Sequence, residues 1–158
     1  MVKKPSHLTI VSGGQTGADR AALDWAIAQG IPHGGYCPAG RKAEDGPIPA
    51  RYQLTETSST SYAHRTRLNV KESDVTLILA SSEALSGGTL LTLKHARKLG
   101  KPHLLVVPEN LDHAPRLLAQ FLAHHKVRIL NVAGPRASTD PTIYRTTLEL
   151  LQTLAKTP

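Results

Sequence analysis

Hydrophobic positions along the chain form short apolar runs that alternate with amphipathic stretches. Four continuous apolar runs predict strands that are buried on both faces, at residues 8–11, 75–80, 104–107 and 127–132. Apolar residues at three- and four-residue spacing predict helices over residues 18–29, 90–99, 114–125 and 143–155, and a weaker one over residues 62–71. An extended piece is expected around Leu54.

Strands that alternate with helices are typical of a mostly parallel sheet with helices on both faces. The pattern therefore predicts an α/β fold, a Rossmann-like doubly wound domain. The chain has 158 residues and shows no repeat, low-complexity tract or long linker, so we expect residues 1–158 to form a single domain. A chain of this length buries about 68–70% of its unfolded surface without a metal or disulfide.

Composition narrows the class of protein. The single cysteine, Cys37, excludes an internal disulfide framework and a Cys-rich zinc site, and the eight histidines lack metal-ligand spacing, so we expect no structural metal. No apolar run approaches the roughly 20 residues that cross a bilayer, and no long apolar segment follows the basic start, which predicts a cytoplasmic protein. The net charge of +7 favours anionic partners such as nucleotides, phosphorylated cofactors or nucleic acid.

A glycine-rich loop, SGGQTGADR at residues 12–20, follows the first predicted strand and leads into a helix. Glycines allow a phosphate to approach backbone N–H groups, and the helix start favours an anion. The candidate ligand-binding residues here are Gly13, Gly14, Gln15, Thr16, Gly17, Asp19 and Arg20. The pattern is neither G-x-G-x-x-G nor the Walker motif. A turn without a ligand remains an alternative, as do a helix-dipole role for Asp19 and a surface position for Arg20.

A second glycine pair follows the strand predicted at residues 75–80, with candidate residues Ser86, Gly87, Gly88 and Thr89. If the two preceding strands are neighbours, both helix starts face one crevice and form a shared phosphate-binding cleft. The alternative is that Thr89 only caps its helix.

The stretch at residues 34–49 is a long, proline-containing loop rich in charge. Loops of this length tend to be functional. Arg41 and Lys42 could close over an anion, and Asp45 could orient them or accept an N–H from a ribose or pterin. A plain surface loop is the alternative. Arg136, after the last predicted strand, could add an anion contact or belong to a turn.

Four segments resemble the molybdenum cofactor carrier family, a branch of the Rossmann-like group that contains the LOG phosphoribohydrolases and the DprA DNA-binding proteins. They are SGGQTGADR (12–20), GGYCPAGRKAEDGPIP (34–49), YAHRTRLNVKESD (62–74) and GGT (87–89), in the expected order. The resemblance implies a homo-oligomer, a dimer or tetramer, whose pocket over the glycine loops binds the phosphate and pterin parts of the molybdenum cofactor. It also implies molybdoenzymes as partners, and Arg65 and Asn69 near the pocket or an interface. Without the resemblance, the residue types of Arg65 and Asn69 would predict that both side chains lie on the surface.

Two other functions remain open. LOG enzymes carry P-G-G-x-G-T-x-x-E, and aligning Gly88-Thr89 with its G-T places Thr92 at the glutamate. This disfavours LOG-like hydrolysis of nucleotides, unless Glu83 or Asp45 supplies the carboxylate. Single-stranded DNA binding ranks third, because the aromatic residues are dispersed. The leading prediction is a binding or carrier protein, not an enzyme, for the molybdenum cofactor or a related anionic phosphorylated pterin or nucleotide.

Overall fold

The computed structural model describes residues 7–155. Its helices and strands follow one another in the order β1 (Thr9–Val11), α1 (Ala18–Gln29), β2 (His33–Gly34), β3 (Tyr36–Cys37), β4 (Thr55–Glu56), α2 (Tyr62–Glu72), β5 (Val75–Leu79), α3 (Gly87–Lys98), β6 (His103–Val106), a 3-10 segment (Pro108–His113), α4 (Ala114–His124), β7 (Ile129–Ala133) and α5 (Ile143–Ala155). None of these helices is long and apolar enough to cross a membrane.

The main sheet has five strands in the order β2-β1-β7-β5-β6, and every pairing is parallel. The predicted α/β class is confirmed. The last strand along the chain, β7, lies in the middle of the sheet, where Leu130 pairs with Ile10 on one side and Val75 on the other. All five residues of β5 are buried, as expected for a parallel strand covered on both faces.

Helices cover both faces of this sheet. The β1–β2 and β5–β6 connections run toward opposite edges, and right-handed crossovers then place α1 and α3 on opposite faces. Helix α5 packs against both α1 and α4, whereas α2 packs against α3. The main core lies between the sheet and the layer formed by α1, α4 and α5. Ile10, Trp25, Leu130 and Leu151 are almost completely buried there.

The segment between β3 and β4, residues 38–54, is a long loop held against α1. A second apolar cluster lies beneath it and joins Leu23 of α1 to Cys37, Ile48 and Tyr52. The Tyr52 hydroxyl also donates a hydrogen bond to Asp24 Oδ1 at 2.6 Å. The loop is therefore a packed part of the fold.

The sequence pattern missed several local features. Strand β2 escaped prediction because it has two residues, one of them glycine, and depends on pairing with β1. Helix α3 begins at Gly87, three residues before the predicted start. Strand β7 begins at Ile129 because Asp74 Oδ2 accepts the N–H groups of Arg128 and Ile129, at 2.9 and 2.8 Å.

Candidate functional site

A cavity of about 570 Å³ lies beyond the carboxyl ends of β1, β5 and β7. This is the edge where ligands bind in open α/β sheets, and the volume suits a nucleotide-sized molecule. Strands β1 and β5 are not direct neighbours, because β7 lies between them. The cavity still spans both, since β7 ends at Ala133 and is followed by Gly134, where a Cβ would approach Ala18 Cβ to 2.8 Å and the Leu79 carbonyl to 2.9 Å.

The start of α3 forms one wall of the cavity. All four predicted residues, Ser86, Gly87, Gly88 and Thr89, line it. The first N–H groups of a helix lack an intrahelical acceptor and carry partial positive charge, and in α3 the side chain of the N-cap Ser86 does not accept from them. A Cβ at Gly88 would meet no atom within 4 Å. This helix start can accept an anion directly.

The first glycine loop uses its N–H groups differently. The N–H of Gln15 donates to Asp19 Oδ2 at 3.3 Å, and that of Ala18 donates to the Pro135 carbonyl at 3.3 Å. A Cβ at Gly17 would lie 2.4 Å from the same carbonyl, so residues 135–137 cover the start of α1. Of the predicted residues in this loop, three line the cavity, namely Gly13, Gln15 and Asp19. Four lie outside its lining, namely Gly14, Thr16, Gly17 and Arg20.

A buried ion pair lies at the cavity wall. Arg65 Nη1 donates to the Gly13 carbonyl at 2.7 Å and lies 3.8 Å from Asp19 Oδ2. Burial raises the pKa of Asp19 to about 6, although the charge of Arg65 and the N–H of Gln15 oppose the shift. A Cβ at Gly13 would lie 2.0 Å from Arg65 Nη1, so a larger residue there would displace the Arg65 guanidinium. The cavity wall therefore carries a guanidinium, that of Arg65, and a carboxyl whose pKa is raised, that of Asp19, and a charged ligand would interact with both.

Arg65 and Asn69 are buried and line the cavity, contrary to a surface reading of their residue types. Asn69 accepts the Tyr36 N–H at 2.7 Å and donates to the Tyr36 carbonyl at 3.0 Å, which fixes α2 to β3. Their i, i+4 spacing on α2 was a signal that they share a face.

The Gln15 amide has a defined orientation. Its Oε1 accepts the N–H groups of Thr16 and Glu44, at 3.1 and 2.9 Å, so Nε2 is the remaining donor. This Nε2 is buried and has no hydrogen-bond partner among the described residues. An unpaired buried donor costs about 1–3 kcal/mol, which a ligand acceptor would offset.

The predicted residues of the third stretch hold the long loop in place. Arg20 makes a two-point contact with Asp45, 2.9 Å for each bond, and donates through Nε to the Gly14 carbonyl. Arg41 donates to the carbonyls of Ile48, Pro49 and Tyr52. Neither Arg41 nor Asp45 lines the cavity.

Glu44, which the sequence did not single out, connects this loop to the segment after β7. It accepts hydrogen bonds from the hydroxyls of Thr16 and Ser138 and from the Ser138 N–H. These bonds lower the pKa of Glu44. Arg136 Nη1 lies 4.0 Å from its carboxylate and lines the cavity.

Other polar residues in the cavity lining carried little sequence signal, namely Thr66, Ser81, Ser82, Asn131, Ser138 and Thr139. Asn131 was detectable as a polar residue inside an apolar strand, and its Nδ2 donates to Thr76 Oγ1 at 3.2 Å. Thr92 also lines the cavity and donates to the Gly88 carbonyl at 2.9 Å. Of the carboxylates in residues 7–155, Asp19 alone lines the cavity, and Glu83 and Asp45 lie outside the lining.

Within residues 7–155, no group of three or more His, Cys, Asp and Glu side chains could hold a metal ion. The Cys37 thiol is buried outside the cavity lining, and burial raises its pKa. The cavity therefore offers helix N–H groups, cationic side chains and amides, which are donors suited to a phosphorylated molecule.

Comparison with known proteins agrees with this architecture. A crystal structure of a protein provisionally named a molybdenum carrier protein, from Syntrophus aciditrophicus SB, is 45% identical and superimposes with a TM-score of 0.91. The match covers 96% of this chain and 97% of that protein. Among curated proteins, no sequence matches significantly. The model of the circularly permuted YpsA SLOG family matches residues 10–155. The chain belongs to the circularly permuted YpsA SLOG family.

Proposed function

We propose that this protein is a carrier that binds the molybdenum cofactor, or a related phosphorylated pterin or nucleotide, in the cavity beyond β1, β5 and β7. The observation that carries the proposal is the start of α3, where no side-chain cap within the described part of the chain reaches the first N–H groups and Gly88 leaves open space beside them. A phosphate there would accept those N–H groups and interact favourably with the helix dipole.

Four further observations support this proposal. The cavity has the volume of a small-molecule site, and the buried Nε2 of Gln15 finds no acceptor among residues 7–155. Arg65 and Arg136 supply positive charge to the lining. The similar protein from Syntrophus aciditrophicus bears the name of a molybdenum carrier and matches this chain over nearly its whole length.

The first test is to denature protein purified without oxygen and to identify the released small molecules by mass spectrometry and by the fluorescence of oxidised pterins. We expect a molybdopterin-derived pterin at close to one per chain. Absence of any pterin would contradict the cofactor assignment. Conversion of added AMP to adenine and ribose 5-phosphate would identify a hydrolase instead, with Asp19 as the carboxylate to mutate.

A matched pair of variants tests the position of the phosphate. Gly88→Val fills the open space at the start of α3, whereas Gly34→Val adds the same side chain at a second open position, outside the cavity lining. We expect Gly88→Val to retain about one tenth or less of the ligand that Gly34→Val retains. The valine side chain would block several charge-assisted hydrogen bonds between helix N–H groups and the phosphate. Equal retention in the two folded variants would overturn the proposed site. Gly14→Val is less suitable, because its Cβ would collide with Leu54 and Ile48.

The proposal extends to partners and location. A carrier would deliver its ligand to molybdoenzymes in the cytoplasm, and transfer to a cofactor-free enzyme would measure this. A homo-oligomer, dimer or tetramer, remains a prediction that light scattering would test.

A further inference from the structure

We propose that the rim of this cavity holds a second anion-binding subsite, so that the ligand carries two separate anionic groups. The subsite consists of Lys42, Arg65 and Arg136 around the ring of Tyr62, and we call these four residues the rim cluster. The inference rests on the proposed function, because it describes a second contact for the same ligand.

The rim cluster gathers three cations from three segments of the chain. Measured from the centre of the Tyr62 ring, Lys42 Nζ lies at 4.5 Å, Arg65 Cζ at 5.2 Å and Arg136 Cζ at 5.3 Å. Each distance is within the range of a cation–π contact. The three charges therefore lie no more than about 11 Å apart, and because Arg65 is buried, its repulsion of the other two cations is screened less than that between exposed charges.

Carboxylates compensate this positive charge only in part. Arg65 faces Asp19 at 3.8 Å, and because burial raises the pKa of that carboxyl to about 6, its compensating charge is lost as the pH falls through that value. Arg136 faces Glu44 at 4.0 Å, and Glu44 already accepts hydrogen bonds from two neighbouring residues. Lys42 donates to the Thr60 carbonyl at 3.4 Å and has no carboxylate partner within residues 7–155. An anion at this position would relieve the repulsion.

The rim cluster is connected to the cavity, yet it is separate from the start of α3. Arg65 and Arg136 both line the cavity, and they belong to α2 and to the segment after β7. The chemical class that fits both positions is a phosphorylated molecule with a second phosphate or similar group, such as a nucleoside bisphosphate or diphosphate. The buried Nε2 of Gln15 offers a further donor in the same cavity.

Calorimetric titration with AMP, ADP and adenosine 3′,5′-bisphosphate tests the rim cluster. We expect the tighter of the two doubly phosphorylated probes to bind at least about tenfold more tightly than AMP. In the double variant Lys42→Gln/Arg136→Gln, this ratio should fall below about threefold. The double variant Lys94→Gln/Lys98→Gln removes the same charge from exposed positions of α3 outside the cavity lining, and it should preserve the ratio.

The outcomes separate the two proposals. A ratio close to one in the wild type, its survival in Lys42→Gln/Arg136→Gln or its loss in Lys94→Gln/Lys98→Gln would overturn the rim cluster. Absence of binding by all three nucleotides would overturn it as well. The proposed function is judged separately, by ligand release and by Gly88→Val, so a failed rim cluster leaves the α3 site in place.

Discussion

At the scale of single residues, Asp19 couples the cavity to pH. Its pKa rises from 3.8 to about 6 in the folded protein, because burial disfavours the carboxylate. The folded state thus holds this proton over a range where the unfolded chain has lost it. The stabilising contribution is complete below pH 3.8 and disappears as the pH rises through about 6.

Asp19→Asn should remove this pH dependence. We expect the free energy of unfolding of the wild type, minus that of Asp19→Asn, to fall by about 2–3 kcal/mol between pH 4 and pH 7. Urea unfolding of both proteins at several pH values measures this difference. Asp24→Asn, on the same helix but outside the cavity lining, serves as the control. A constant difference for Asp19→Asn would show that the carboxyl titrates normally.

The sequence located the glycine loops but not the partners of their side chains. Gln15 bonds to Glu44, and Arg20 to Asp45, across more than twenty residues of intervening chain. No local pattern reports such pairings. The placement of Arg41 on backbone carbonyls was equally inaccessible, because a guanidinium in a loop carries the same sequence signal for an anion as for the protein's own backbone.

At the scale of elements, Glu44 links the loop at residues 38–54 to the segment after β7. Its carboxylate accepts the Ser138 N–H at 3.2 Å, while Thr16, which it also bonds, accepts the Ala137 N–H at 3.0 Å. These contacts connect the loop at residues 38–54 to the first glycine loop and to the segment after β7, and the latter two contribute residues to the cavity lining.

Glu44→Ala should loosen this connection locally. We expect amide hydrogen exchange at Ala137 and Ser138 to become at least about threefold faster. The Ser138 N–H loses its acceptor, Glu44, and Thr16, which accepts the Ala137 N–H, is no longer held by Glu44. Exchange measured by NMR gives the rates residue by residue. Glu149→Ala, at an exposed position of α5, should leave both amides unchanged. Unchanged rates in Glu44→Ala would mean that other contacts hold the segment.

The long elements were predictable from periodicity, whereas the short strands were not. Helices α1 and α5 and strand β5 carry enough apolar positions to define a repeat. Strands β2, β3 and β4 have two residues each, and β4 is exposed throughout. Such strands exist because a neighbouring strand offers backbone partners, which is information that their own residues do not contain.

At the scale of the whole molecule, β7 joins the two halves of the sheet. Leu130 of β7 pairs with residues of both neighbouring strands. Its side chain lies in the main core and has no exposed surface. Leu130→Ala should therefore lower the free energy of unfolding by about 2–5 kcal/mol, through lost burial and a cavity. Urea unfolding measures the change.

Leu111→Ala is the matched control for this core substitution. Leu111 is 38% exposed, and we expect its replacement to cost less than about 1 kcal/mol. Comparable losses for the two leucines would show that β7 is no more important to stability than the surface. The sequence identified β7 as a strand, but its central position depends on topology, which local patterns do not encode.

The position of β7 has a consequence for how the protein is made. Ribosomes add about 5–20 residues per second, so the roughly 50 residues between β5 and β7 take several seconds to synthesise. During that time β1 and β5 each expose an unpaired edge, a surface prone to association with other chains. Residues 134–136, which close the cavity, emerge later still. We therefore expect chaperones to protect the nascent chains from association. We also expect ligand to bind only after translation is almost complete.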